Sequence, residues 1–425
     1  MHNVDLQSDT SSAVSSAPRK ELVGPIRSGA AAIHEIQVGL LTGGGDRHYA
    51  FGLAMGLVSN GIGVDFIGGD EVESPELHTT PKLTFFSLRR NGGDATLAKK
   101  MSRIVAYYAR LIRYAATAKP KIFHILWNNK FELFDRTLLM SYYKLLRKKV
   151  VLTAHNVNAG VRDSTDSPLN RFTLKIQYRL ADRIFVHTAK MKDQLLEEFS
   201  VRNESVTIIP YGVNNAVADT SLSPGEAKQR LGIRSDEKTV LFFGNIAPYK
   251  GLEYLIAAFE RIDATTPNYR LVVAGMLKKG CEKYAGSIRQ ALTLGRSRDR
   301  ILLQAEFIPD EEVELYFKAA DVCVLPYTEI FQSGILFLAY SFGLPVIAAD
   351  VGSLREDVVE GETGFVFRPK DAADLANTLE KYFASDLYRS LNQRRPLIRD
   401  YVRARHSWET VAHMTRRVYA ELLRN

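Results

Sequence analysis

Phe243-Gly244-Asn245-Ile246-Ala247-Pro248-Tyr249-Lys250-Gly251 separates an apolar run at 239–243 from an amphipathic stretch at 252–261. A strand that leaves through glycines into a helix start is one half of a βαβ unit, and the rhythm recurs along the chain. Downstream, 270–274, 301–303, 322–325, 346–348 and 364–367 read as strands, with helices expected at 287–294, 310–319, 333–342 and 372–383. Upstream, strands are expected at 36–42, 64–68, 122–126, 150–154, 183–186 and 206–209, with helices around 49–60, 98–116, 134–147 and 189–199. Between the two series, Pro210-Tyr211-Gly212 and the polar stretch 214–226 break the rhythm and read as a linker. The sequence therefore predicts an α/β protein of two Rossmann-like domains, residues 35–212 and 213–400. Open α/β sheets bind ligands beyond the carboxyl ends of their strands, so two such domains form a cleft. Residues 1–34, rich in Ser and Ala without a sustained apolar period, read as a flexible leader.

With 425 residues, 46% apolar and 24% charged, the chain is long enough for two or three folded units, and a coiled coil, a collagen-like fibre or a mostly disordered polymer is excluded. Two cysteines, Cys281 and Cys323, cannot build a disulfide framework, which fits a reducing cytosol. No run reaches the ~18 uncharged apolar residues of a membrane span, and no signal-peptide core follows the first residues, so a cytoplasmic site is expected. The net charge of +8 is one-sided: residues 1–212 hold 28 Lys and Arg against 20 Asp and Glu, and the rest balance at 28 each. Such asymmetry points to an anionic partner for the first half: a membrane surface, nucleic acid or an acidic substrate. The helix at 98–116 carries Lys99, Lys100, Arg103, Arg110 and Arg113 beside Met101, Ile104, Val105, Tyr108, Leu111 and Ile112, and Arg147-Lys148-Lys149 adds charge. It reads in two ways. Either it lies on an anionic membrane, peripheral on the inner face, or its apolar stripe packs on the sheet and its charges face water.

Three strand-to-helix turns could carry chemistry. Gly43-Gly44-Gly45 allows close backbone approach, so its N–H groups could meet a phosphate or a sugar hydroxyl; it could equally be a tight turn. Lys250 sits at a helix start, where a cation is unusual. It is either aimed at an anion or an ordinary solvated lysine. In Pro326-Tyr327-Thr328-Glu329-Ile330-Phe331-Gln332-Ser333-Gly334, the helix start suits a diphosphate, with Ser333 otherwise serving as an N-cap.

Together these segments resemble the retaining glycosyltransferases of the GT-B fold, in particular glycosyltransferase family four. The resemblance is carried by Gly244 to Gly251, Val273-Ala274-Gly275, Ala320-Asp321 through Leu325-Pro326, Gly343-Leu344-Pro345-Val346-Ile347-Ala348 and Gly361-Glu362-Thr363-Gly364-Phe365. It extends to Ala154-His155-Asn156 and Ile209-Pro210-Tyr211-Gly212-Val213, and Trp408 with the helix after it resembles the family's closing helix, so 401–425 should return toward the first domain. The resemblance implies sugar transfer from a nucleotide-diphosphate sugar to a hydroxyl acceptor, a glycan or lipid-linked glycan, with retention of configuration. It implies a donor site in the second domain, an acceptor site in the basic first domain, no nucleic acid partner and no cofactor besides the donor. By the family's pattern Lys250 contacts the diphosphate and His155 faces the donor sugar, as the catalytic pair. Substrate binding falls to Gly43, Gly44, Gly45, Asn245, Glu329, Ile330, Phe331, Gln332, Ser333 and Gly334.

The chain departs from that pattern at three places, one of them Gln332-Ser333-Gly334, which stands where Phe-Gly and an apolar residue are usual. Asn245 stands where an Arg is usual, and the two glutamates separated by seven residues are replaced by Ile330 and Leu338, with Glu329 one residue early. No D-x-D pair is present to hold a metal, so Lys250 and backbone N–H groups are expected to meet the charge on the leaving phosphate. These departures keep two other readings open. One is a non-catalytic GT-B subunit that binds a partner or glycan. The other is an epimerase-like enzyme acting on a nucleotide sugar, although its acid and base carboxylates are not apparent.

Overall fold

The computed structural model describes residues 35–89, 96–163, 165–213, 217, 219–263 and 268–424; the leader expected over 1–34 lies outside them. Among the described residues the strands form two parallel sheets. The first comprises β1 (Gln37–Leu41), β2 (Gly63–Gly69), β3 (Leu83–Arg89), β4 (Ile122–Ile125), β5 (Lys149–Thr153), β6 (Arg183–Val186) and β7 (Val206–Ile208), in the order β3-β2-β1-β4-β5-β6-β7. The second comprises β8 (Lys238–Phe243), β9 (Tyr269–Ala274), β10 (Ile301–Gln304), β11 (Val322–Leu325), β12 (Val346–Ala349) and β13 (Gly364–Phe367), in the order β10-β9-β8-β11-β12-β13. Each sheet reverses direction beside its first strand, between β1 and β4 and between β8 and β11. Parallel order follows from the helical crossovers, and a crevice opens where the winding reverses.

The central strands are apolar on both faces because helices cover both. Val38, Leu40, Phe123 and Val150 in the first sheet, and Leu241, Phe242, Val273 and Leu325 in the second, are fully buried. The last helix, Trp408–Arg424, is not part of the second core: Trp408, Val411 and Tyr419 pack with Leu53, Leu57 and Phe66 of the first half. Its partner is the helix Arg47–Ser59, where Gly52 makes room: a Cβ there would lie 2.1 Å from the Trp408 indole. Tyr419 then reaches β4, its hydroxyl 2.6 Å from His124 Nδ1.

The alternation of strands and helices is as expected, and the differences have physical reasons. β3 escapes sequence reading because it is an edge strand, half-covered, whose Thr, Ser and Arg break the apolar run. The helix Pro168–Leu180, started by a Ser167 cap and a proline, is a second element beyond the expected ones. The linker expected at 214–226 is a helix from Pro224: Ser223 and Glu226 form a reciprocal capping box, and polar residues that suggest a loop serve as the cap. Residues 214–216 and 218 of that stretch lie outside the described ones. The boundary drawn at residue 400 falls within the helix Leu391–His406, and the chain turns at Ser407.

Candidate functional site

The turn after β8 is drawn tight against the turn after β11. Pro248–Lys250 makes one 3-10 turn, Thr328 N–H donates to Tyr249 O at 2.9 Å, and Gly251 turns the chain with φ +60°. A Cβ on Gly251 would lie 2.0 Å from Pro326 O, so only glycine permits this approach. The result buries Lys250, 6% exposed, against the second strand's turn. Its Nζ donates to the Tyr327 hydroxyl at 2.7 Å and lies 3.9 Å from that ring's centroid. Among the described residues no carboxylate pairs with it. Burial, and next the charge of Arg162, lower its pKa to about 7. The solvated-lysine reading is therefore wrong, because the Gly251 turn carries the side chain inward.

Lys250 lines a cavity of about 500 Å³ to which both halves contribute, Asp46, Tyr49 and Tyr211 from the first, Gly244, Asn245 and Leu338 from the second. Ser333 holds the N-cap position of the helix Gly334–Ser341 but makes no capping bond; its Oγ lies 3.2 Å from the Tyr327 hydroxyl. The first N–H groups of that helix, at Gly334 and Ile335 on the cavity wall, thus have no side-chain cap. Leu338 in the same wall offers no hydrogen bond.

Tyr249 gathers charge from three directions. Lys250 Nζ, Lys278 Nζ and Arg162 Cζ lie 5.5, 5.4 and 5.3 Å from its ring centroid. Asp163 offsets part of this, pairing with Arg162 at 2.8 Å and with Lys278 at 3.3 Å. Arg162 comes from the first half, so the charge around Tyr249 is drawn from both halves. Arg162 also borders a second chamber of about 300 Å³ with Asn156, Lys190, Glu329, Ile330 and Phe331.

In the first half the equivalent turn is filled from within. A Cβ on Gly43 would lie 2.1 Å from Trp127 O, and one on Gly45 would lie 2.0 Å from the Trp127 ring. Of the three glycines, Gly45 spends its N–H on Thr42 O at 3.2 Å, and the helix start that follows is capped, Asp46 accepting from His48 N at 2.9 Å and Tyr49 N at 3.2 Å. Gly43, Gly44 and Gly45 do not line the cavity; a carboxylate stands at its edge instead.

Trp127 also stacks on His155, centroids 4.2 Å apart and planes 8° from parallel, and Tyr49 meets His155 edge-on at 4.6 Å. His155 therefore stands behind the cavity wall rather than on it. His187 Nδ1 lies 3.0 Å from the Ile209 carbonyl, which can only accept, so Nδ1 carries the proton. His187 Nε2 then accepts from His155 Nδ1 at 3.0 Å, and His155 Nε2 is left as a buried lone pair without a partner. Burial holds the His155 pKa well below the ordinary value and lowers that of His187 to about 4, so both rings are neutral at pH 7.

The expected residues thus divide. Lys250, Asn245 and Gly334 share the main cavity, while Glu329, Ile330 and Phe331 share the second chamber. Gln332 turns away, its Nε2 donating to Asp357 Oδ2 at 3.3 Å. Ser333 is buried, and its expected N-cap bond is absent because Tyr327 holds its hydroxyl. Sequence reading missed Arg162, Tyr249 as a cation hub, Tyr327 and His187. An aromatic directly before Lys250 was the one available signal. Across the cleft, Asp310 pairs with Arg47 at 2.5 Å and His48 at 3.3 Å, and Ser353 Oγ donates to Thr188 Oγ1 at 2.8 Å.

Residues 43–217 match the family described as Glycosyltransferase Family 4, and residues 225–397 the family described as Glycosyl transferases group 1. A D-inositol 3-phosphate glycosyltransferase of Nocardia farcinica is 32% identical over 207 residues, 47% of this chain and 44% of that protein. The chain spans about half the length of such curated relatives. Sucrose-phosphate synthase from Thermosynechococcus elongatus superposes with a TM-score of 0.73 at 21% identity, over 92% of this chain and 99% of that one. Anabaena HepE in complex with UDP and glucose gives a TM-score of 0.71 at 17% identity, over 91% and 100%. The two facing Rossmann-like sheets are those of the GT-B fold.

Proposed function

The chain belongs to the glycosyltransferases of group 1, with a family 4 domain in its first half, and from that premise we propose that it moves a sugar from a nucleoside-diphosphate donor to a hydroxyl acceptor with retention of configuration. The observation that carries the reading is Lys250, a buried amine without a carboxylate partner, beside an uncapped helix start on one cavity wall. Such a wall suits two phosphates. Lys250, Arg162 and the N–H groups of Gly334 and Ile335 take up the negative charge that grows on the leaving diphosphate, without metal. The same-face displacement lets that phosphate receive the acceptor's proton. His155, behind the wall, offers a buried lone pair and no proton, so it supports the site by backing Tyr49 rather than by touching the sugar. The acceptor, a glycan or a lipid-linked glycan, enters from the basic first half. Two free cysteines fit a cytoplasmic enzyme.

UDP is the first probe, since HepE was crystallised with UDP and glucose. Thermal shift against nucleoside diphosphates and nucleotide sugars tests the reading: a ligand at 100 times its Kd adds about 2.7 kcal/mol. Stabilisation by one base and transfer of its sugar are expected. Stabilisation without turnover on any acceptor would favour the non-catalytic reading, which Leu338 in the cavity wall also suits. No response to any nucleotide would remove the donor site altogether.

A further inference from the structure

The helix Leu97–Thr117 has two apolar stripes, and one of them is bare. Tyr107, Tyr108, Leu111, Tyr114 and Ala115 pack into the first half's core. Met101, Val105, Ala109, Ile112 and Ala116 recur at i, i+4, i+8, i+11 and i+15, a single helix face. All five are exposed, Met101, Val105 and Ile112 by 46, 63 and 37%. Lys99 and Arg113 are exposed beside this stripe, Arg110 is exposed with one guanidinium nitrogen donating to Leu88 O at 3.1 Å, and the helix contains no Asp or Glu. The neighbouring helical segment 132–145 extends the apolar surface. Tyr142 OH donates to Ile112 O at 3.3 Å, and Phe131 stacks on Tyr108 at 5.8 Å, so the two elements lie side by side. There Phe131, Leu133, Leu138 and Leu145 are 42, 56, 66 and 81% exposed. The exposed acid of this segment, Glu132, is paired with Arg136 at 2.5 Å.

We propose that this face seats the protein on an anionic lipid bilayer. Sequence reading set a membrane role for the basic helix against packing on the sheet; the structure shows that the helix packs and still keeps a second stripe in water. A polynucleotide would pair the cations and leave the leucines bare. A second copy would bring two cationic faces together. A bilayer interface accepts both, apolar side chains at the acyl boundary and cations at anionic headgroups. The patch begins close to the cleft. Trp127 stacks on His155, and the chain from Trp127 to Phe131 spans at most about 15 Å. A hydroxyl on a membrane-held lipid acceptor can then reach the cavity; this last link rests on the transferase reading, the docking face does not.

The test is co-sedimentation of the full chain with vesicles of phosphatidylcholine alone or mixed with phosphatidylglycerol. Binding to the anionic vesicles, weak binding to the neutral ones and release by salt are expected. Leu138→Asp with Leu145→Asp, and separately Lys99→Glu with Arg113→Glu, should each weaken anionic-vesicle binding by roughly tenfold or more, with melting temperature and nucleotide response unchanged. Equal binding to neutral vesicles, or variants that bind as well as the parent, would overturn the proposal. So would a dimer in light scattering that either pair of substitutions dissolves. A transferase failure shows itself separately, as silence toward every nucleotide while vesicle binding persists.

Discussion

The turn after β1 and the turn after β8 occupy equivalent places, at the carboxyl end of the strand beside which each sheet reverses. Both are glycine-rich, and both precede a long helix. In the first half Trp127 fills the space that the glycines open, and the helix start is closed by the Asp46 carboxylate. In the second, Gly244 has nothing nearer its missing Cβ than Ile335 Cδ1 at 3.5 Å, and the turn delivers a buried cation to a cavity. One winding order thus yields a turn packed at its first glycine and one open at its first glycine, Gly244, and tight only at its far end, Gly251. The difference lies in which bulky residue the neighbouring strand supplies: Trp127 after β4 reaches back over its glycines, whereas Tyr327 after β11 holds Lys250 instead.

The contrast can be broken most directly by adding a methyl group. Gly43→Ala places Cβ against the Trp127 carbonyl at φ +59° and should cost about 3 kcal/mol or more. Gly244→Ala, at φ +103° but in open space, should cost only about 1–2 kcal/mol of backbone strain. Similar shifts in urea midpoint would show that the first turn is not packed as described.

Next in size is the open turn's cation. Lys250→Ala should weaken nucleoside-diphosphate binding roughly tenfold to a hundredfold, the loss of one charge-assisted hydrogen bond, and leave the uncharged nucleoside almost unaffected. Calorimetric titration of both ligands decides; an unchanged diphosphate affinity in a folded variant removes Lys250 from the site.

A pH series sharpens the comparison further. The free amine of Lys250, lowered to about 7, is neutral above that pH, and a bound diphosphate favours its charged form. Binding above pH 7 therefore takes up a proton, and affinity should fall by up to about tenfold per pH unit until the bound amine deprotonates. Titration in two buffers of different ionisation enthalpy reads that proton directly, and Lys250→Arg should abolish it. In the first half the buried bases are histidines. With His187 lowered to about 4, folding excludes its proton, so that contribution to stability is intact above the ordinary histidine value of about 6.5 and is lost as the pH falls from there toward 4. Acid unfolding that His187→Gln does not shift would contradict this.

The smallest effect expected is at Arg162, whose charge is shared with Asp163. Arg162→Ala should weaken diphosphate binding by less than tenfold, since half-exposed pairs are screened. Adding Asn245→Arg should restore it if one cation replaces the other. Failure to restore binding would mean that Arg162 serves the second chamber alone.

Most of the fold is legible because both sheets are covered on both faces, so their central strands are uninterrupted apolar runs. β3 is not, since this edge strand is covered only in part and carries exposed Thr84 and Ser87 where a central strand would carry apolar residues. The site is half legible. Glycine turns and Lys250 announce themselves by their position after a strand. The partners that decide what Lys250 does, Tyr327 at 77 residues' distance and Arg162 from the other sheet, are fixed only by folding. His187 gave no signal because its role is to set a proton on His155, and that depends on a carbonyl at Ile209. The bare leucines of 132–145 are equally silent, since sequence cannot tell an outward leucine from an inward one.

The chain has two tryptophans, Trp127 and Trp408. One is pressed on the His155 ring and the other lines the main cavity, its indole N–H without a partner. Light absorbed near 295 nm is therefore emitted from the cleft and its backing layer alone. Ligand entry can be followed by the protein's own fluorescence, without a label, and Trp127→Phe and Trp408→Phe would separate what happens behind the wall from what happens in front of it.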